Sequence, residues 1–240
     1  MGDVHLSDRP PSIRTDSYAE DILDKLRWCV TYANEHCDVM VLLCDIYHLK
    51  VPSRTSHALV QRTAQVLERF HGRVLIVPGN HDMSQDRIES LASQPLGALS
   101  LHPKIDLLVG YDEQSNIFGI PYLQNWATLG GWLKQVPSQT ALLATHAPIF
   151  PDGDEPPYEF ISASDWADQM VIGTPVFYGH IHHPHGVYKA GGVWFSNLGA
   201  ISRGSLHEET LKRTPRVALF DSTRSSGSSL TVANVFPAVA

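Results

Sequence analysis

Apolar residues fall in short runs along this chain, with polar stretches of very different rhythm between them. Val39 to Cys44, Val74 to Val77, Ile117 to Ile120, Ala141 to Ala144 and Val176 to Tyr178 are almost continuously apolar and of strand length. Such runs predict buried strands. Val193 to Ser196, Val217 to Phe220 and Leu230 to Val235 predict later strands. From Asp16 to His36 the period changes, and Ile22, Leu26, Cys29 and Val30 share one stripe. Ser56 to Phe70 repeats the pattern with Leu59, Thr63, Val66, Leu67 and Phe70. Both segments predict amphipathic helices. Strands alternating with helices, then strands joined by short turns, predict an α/β layered fold with a pair of mixed sheets. Pro151 to Pro157 predicts an exposed loop or lid, and Asp221 to Ser229 a hairpin turn. No internal repeat or linker divides the chain, so residues 1–240 are expected to form a single domain.

Composition narrows the class. Hydrophobic residues are 43% and charged residues 18% of the chain, enough to bury a core. No apolar run reaches the ~18 residues a membrane span needs, and Met1 to His5 is too polar for a signal peptide. Cys29, Cys37 and Cys44 lack zinc-type spacing and read as reduced thiols, which places the protein in the cytoplasm. A net charge of −7 argues against coating nucleic acid by charge alone. It leaves room for an enzyme acting on nucleic acid, because bound cations supply a local positive field.

The 13 histidines change the picture through their positions. Asp3 and His5 form D-x-H at the start of the chain; Asp45 follows the first strand; Asn80 and His81 follow the second in G-N-H-D. His146 ends another run, and His180 and His182 form G-H-I-H after Val176 to Tyr178. Ligands in open α/β sheets gather at the carboxyl ends of strands. On an extended chain residues i and i+2 point the same way, so each pair is expected to be two-toothed, with Val4 and Ile181 turned inward. One such residue is an ordinary turn former; the set together points to metal. Imidazole, carboxylate and amide donors without thiolate suit Mn²⁺, Fe or Zn²⁺. Seven side chains exceed one ion's needs and match two ions ~3.5–4 Å apart sharing a carboxylate.

In order, spacing and strand context these motifs resemble the calcineurin-like metallophosphoesterases, over almost the whole chain. The resemblance implies an α/β sandwich of two mixed β-sheets flanked by helices, and two divalent metal ions, Mn²⁺ first among them. It implies that Asp3, His5, Asp45 and His182 hold one ion, and that Asp45, Asn80, His146 and His180 hold the other. It further implies a metal-bridging hydroxide as nucleophile, His81 as general acid or charge stabiliser, and Asp82 as the carboxylate orienting His81. Within the family, "CDIYHLKVPS" (Cys44 to Ser53) looks like a segment of the SbcD-type DNA-repair nucleases, which places His48 near substrate. "SNLGAISRGSLHE" (Ser196 to Glu208) resembles another, which places Arg203 at the phosphate. His183 and His185 receive no role.

The expected function is a two-metal phosphodiesterase on nucleic acid or nucleotide substrates, and by that branch resemblance a DNA nuclease. A phosphodiesterase for cyclic or other small nucleotides is the alternative, and a metal-bound non-enzymatic scaffold a third. A phosphoprotein phosphatase fits less well, since Asp82 stands where its signature has Glu. The chain departs from SbcD-type proteins in ending soon after its last strand. No capping domain and no ATPase partner of the SbcC type are therefore expected; a homodimer is left open. Only Met1 and Gly2 precede D-x-H, which is short for a strand. The expectation is a missing upstream segment, or otherwise a mobile Asp3/His5 pair.

Overall fold

The computed structural model describes residues 1–11, 14, 17–170, 173–204, 212–222 and 228–235. Along these run α1 (Tyr18–His36), β1 (Val39–Leu43), α2 (His57–Leu67), β2 (Arg73–Val77), α3 (Pro95–Leu99), β3 (Ile105–Leu107), β4 (Gly110–Asp112) and β5 (Ile117–Ile120). They continue through α4 (Leu129–Leu133), β6 (Leu142–His146), β7 (Ile149–Phe150), β8 (Ile161–Ser162), α5 (Ala163–Asp168) and β9 (Val176–Gly179). The last are β10 (Gly186–Ala190), β11 (Val193–Asn197), β12 (Arg216–Asp221) and β13 (Ser229–Asn234). The expected helix start at Asp16 lies outside the described residues. So do residues 223–227 of the expected hairpin turn, although β12 and β13 pair antiparallel with Asp221 opposite Ser229.

Two sheets face each other. One is parallel, in the order β1-β2-β3; the other is mixed, in the order β10-β11-β9-β6-β5-β4. The period-2 alternation of strands sorts each run onto two faces. Met40, Leu42, Val74 and Ile76 join Ile22, Leu26, Leu59 and Val66 of α1 and α2 in one core. Their neighbours Leu43, Leu75 and Val77 turn the other way, onto Ile117, Leu142 and Ala144 of the second sheet. The far side of that sheet, including Phe118, Leu143, Val176 and Tyr178, is covered by Leu129, Leu133 and Trp166 of α4 and α5. Helix, sheet, sheet, helix is the layer order, which is the expected α/β sandwich. The short β3, β4, β7 and β8 and α3 to α5 carry too few residues for their period to register in the sequence, and the edge strand β10 has no buried residue to make an apolar run. None of the described helices is long and apolar enough to cross a membrane.

The first residues of the chain sit inside this frame. Gly2 bridges in parallel to both Leu43 and Ala200, and Leu6 to Tyr47. Backbone bonds Leu43 N–H to Met1 O (2.7 Å), His5 N–H to Asp45 O (2.9 Å) and Ile201 N–H to Gly2 O (3.1 Å) hold the segment from both sides. Asp3 and His5 are buried, so the pair is fixed in place rather than mobile. The carboxyl ends of β1, β2, β6 and β9 meet beside it.

That meeting requires glycine at two points. A Cβ on Gly79 would lie 2.1 Å from Asp45 Oδ1 and 2.2 Å from the Cys44 carbonyl; one on Gly179 would lie 2.3 Å from the Leu43 carbonyl. Gly179→Ala is expected to lower the unfolding free energy by about 1–3 kcal/mol, the usual cost of overpacking against backbone. Gly131→Ala, on α4 where a Cβ meets nothing within 4 Å, is expected to be neutral or stabilising by up to about 1 kcal/mol. Urea unfolding of the two variants checks the contrast; equal effects would contradict it.

Candidate metal centre

Four strand ends and the N-terminal segment deliver seven donor side chains to one place. His5 Nε2 lies 3.7 Å and His146 Nε2 3.5 Å from Asp45 Oδ2, so a single carboxylate oxygen sits between two imidazoles. The other oxygen, Oδ1, accepts the His81 backbone N–H at 2.8 Å. His182 Nε2 is 3.8 Å from Asp3 Oδ1 and 2.8 Å from His5 Nε2. His180 Nδ1 is 3.2 Å from Asn80 Oδ1. Ligand atoms of Asp3, His5 and His182 lie within 4.8 Å of one another, as do those of Asp3, Asp45 and His146, and those of His5, His48 and His81.

The electrostatics are those of a cation site. Burial, then repulsion from Asp45, raises the Asp3 carboxyl well above its ordinary range. Burial pushes Asp45 up to about 7. Burial first, and neighbouring imidazoles second, lower His180 to about 3 and His182 to about 4, while burial lowers His146 to about 3. Among the described residues no Lys or Arg forms an ion pair with Asp3 or Asp45. Among the described residues Asp3 Oδ2 and His146 Nε2 are buried without a hydrogen-bond partner. Buried polar atoms are ordinarily satisfied, and neutral imidazoles beside unpaired carboxylates are the ligand form that divalent metals require. The donor set therefore fits metal ions.

The backbone that aims these donors is not the extended chain that i, i+2 spacing implies. Asp3 (φ 52°), His5 (φ 50°) and His180 (φ 82°) are all left-handed. Val4 and Ile181 do turn inward, as expected. Left-handed non-glycine residues cost about 1–2 kcal/mol each, and three of the six among the described residues are in this site. His180 lies directly after β9, and Asp3 and His5 lie between the isolated bridges of Gly2 and Leu6.

The expected orienting role of Asp82 is corrected. Its Oδ1 accepts from Ile46 N–H and its Oδ2 from Gly79 N–H, both at 3.0 Å. It ties the Asp45 loop to the Asn80 loop. The His81 ring is instead held by the His48 carbonyl, 2.5 Å from Nδ1. His48 also places its own ring 5.4 Å from His5, with the two Nδ1 atoms 3.4 Å apart. Arg203 is half-buried, and its carbonyl accepts from Arg14 Nη1 at 2.6 Å. No hydrogen bond among the described residues joins its side chain to the donors; residues 205–208 of its segment lie outside them.

Three further residues shape the site without any signal in the sequence strong enough to single them out. Arg213 donates from Nη1 to the Ala200 carbonyl and from Nη2 to the Ser202 carbonyl at 2.8 Å, holding the strip beside Gly2 and Asp3. Buried Asn197 donates to the Tyr178 and Ile181 carbonyls at 3.0 and 3.1 Å, bracketing the G-H-I-H turn. Tyr122 sets its ring 5.3 Å from His180 and 6.2 Å from His146.

The sequence profile of the calcineurin-like phosphoesterases matches residues 1–184, which include every one of the seven donors. The chain belongs to that family. This phosphoesterase is accordingly a metal-dependent hydrolase. It shares its fold with the crystal structure of TT1561 of Thermus thermophilus, at a TM-score of 0.54 and 16% identity, over 90% of this chain and 95% of that one. No curated protein matches it.

Metal affinity of this phosphoesterase is expected to rise with pH up to about 7. The imidazoles are already neutral, so the protons displaced come from the carboxyls. Asp45 is raised to about 7 and holds its proton below that pH, where a cation must compete for it. Titration with Mn²⁺ between pH 5.5 and 8, in buffers of different ionisation heat, should register proton release that vanishes at the alkaline end. Affinity independent of pH, without proton release, would contradict the assignment.

Proposed function

We propose that this phosphoesterase is a two-metal phosphodiesterase acting on nucleotide phosphodiesters. The reading rests on Asp45, whose one oxygen lies within 3.7 Å of imidazoles from two separate parts of the chain. Asp3, His5 and His182 would complete one ion's set with it, and Asn80, His146 and His180 the other's. The donors suit Mn²⁺ first, with Fe or Zn²⁺ also accepted. When bound, the ions supply positive charge for the phosphate and lower the pKa of water.

The chain's own residues do the rest. His81 Nδ1 donates to the His48 carbonyl, which leaves Nε2 as the nitrogen for proton transfer. A proton given to the leaving oxygen would therefore come from Nε2 of a ring that is already oriented. His48 stands next to it, its ring 5.8 Å from that of His81, in reach of the same phosphate. Asp82, by fixing Gly79 and Ile46, keeps His81 and Asp45 in register.

The likeness of Cys44 to Ser53 to the SbcD-type nucleases favours a nuclease. A specific observation favours small nucleotides instead: net charge is −7, and no Lys or Arg occurs between Lys134 and Lys189, the stretch that carries His146, His180 and His182. A long nucleic acid gains most of its affinity from such cations. Mn²⁺-loaded protein offered single-stranded DNA, blunt duplex DNA, RNA, cyclic nucleotides and a nitrophenyl diester tests the choice. Cleavage of single strands and small diesters well above blunt duplex is expected. Duplex as best substrate would restore the repair-nuclease reading, and no diester turnover at all would remove the phosphodiesterase reading.

His81→Asn is expected to retain two ions per chain by elemental analysis and to lose ~10²–10⁴-fold in rate, the size of a general-acid contribution. Loss of metal in this variant would make His81 a ligand. Fewer than two ions in the saturated parent protein would reduce the centre to one.

A further inference from the structure

A cleft of about 700 Å³ opens beside the metal centre. His180 and His182 of the donor set line it. Phe150, Asp154 and Tyr158, with His183 and His185 from the next loop, make up its wall. The volume lies within the ~300–1,000 Å³ of small-molecule sites. Phosphate chemistry at the metal centre uses none of these wall residues.

Most of the wall is fixed in place. Phe150 is 8% exposed and sets its ring 4.9 Å from His185. His185 Nδ1 is 2.7 Å from the Tyr178 hydroxyl, itself 2.8 Å from the Tyr188 hydroxyl. Asp152 accepts the Ser164 N–H at 3.1 Å, which anchors the lid to α5. Tyr158 differs: its ring stands edge-on to Phe150 at 5.9 Å, yet it is 52% exposed. A half-exposed ring over a rigid aromatic floor can take another flat group against it.

Asp154, the carboxylate among the lining residues, disfavours a second phosphate there. Asp152, Asp154, Glu155 and Glu159 cluster on and just after the lid, and no Lys or Arg lies in the surrounding sequence. A substrate continuing through the cleft as a polyphosphate or a polynucleotide strand would place anion against this carboxylate, and no Lys or Arg is among the residues that line the cleft. An uncharged planar group meets no such penalty, and Asp154 offers it a hydrogen-bond acceptor.

We propose that this cleft seats a single nucleobase-like planar group, stacked on Tyr158, of a substrate with one phosphodiester and no further phosphate. The proposal rests on the phosphodiesterase reading and narrows it to mononucleotide-type diesters. Metal-loaded protein is titrated calorimetrically with inorganic phosphate, ribose 5-phosphate, AMP and ATP. AMP is expected to bind roughly tenfold or more tighter than ribose 5-phosphate, the scale of one base stacked on an aromatic ring. Tyr158→Ala should remove that advantage and leave inorganic phosphate within about twofold, and Tyr158→Phe should restore it. Asp154→Asn should narrow the preference for AMP over ATP. Ribose 5-phosphate binding as tightly as AMP, or an AMP affinity unmoved by Tyr158→Ala, overturns the proposal while the phosphodiesterase reading stands. If inorganic phosphate itself fails to bind, both fall together.

Discussion

Burial of two carboxylates without a cation of the chain's own is the constraint on which the rest of this molecule turns. Asp3 and Asp45 are almost wholly removed from water, and among the described residues only imidazoles stand close enough to pair with them. Removing an unpaired ion from water costs several kcal/mol even after relaxation. The sandwich thus carries an electrostatic deficit at the centre of its strand ends. A divalent cation removes it, and the same cation is what a phosphoesterase needs.

Holding such a site open against its own repulsion takes covalent-scale precision from weak parts. Gly79 and Gly179 let the β2 and β9 ends close on β1 without a Cβ in the way. Asp82 and Asn197 then fasten the converging loops by their backbone N–H and C=O groups, and Arg213 fastens the strip beside Asp3. Three donors accept left-handed backbone in return for aim. Such strain persists only where surrounding bonds over-determine the conformation, and here the N-terminal residues are bonded on both flanks.

The same economy of cations extends outward. The wall beside the centre carries aromatic rings, imidazoles and Asp154 but no Lys or Arg, so under the proposed reading positive charge at the phosphate would come chiefly from the metals. Under that reading the site would hold one phosphate and a flat neighbour, whereas a surface for long polyanions distributes its cations along the track.

Sequence alone determined the layers and the donors. Continuous apolar runs of strand length bounded by turn residues point to strands packed on both faces, and Asp45, Asn80, His146 and His180 occur where those runs end, because an imidazole or carboxylate cannot continue a buried strand without a partner. Spacing could not determine how the donors are aimed. Asp3 and His5 read as neighbours on an extended chain, yet their backbone is left-handed, held by N–H groups of Leu43 and Ile201 that donate to Met1 and Gly2 and by the Asp45 carbonyl that accepts from His5. Asp82 reads as a partner of adjacent His81, but its carboxylate spends both oxygens on N–H groups of two different loops. Arg213 and Asn197 carry no motif, and Tyr158 is one aromatic residue in an exposed loop until the fold sets it against Phe150 in one cleft with His185. Period and composition are local quantities that the chain carries with it. Which backbone amide meets which carboxylate is decided by contacts between residues far apart in sequence, and those exist only once the two sheets have packed.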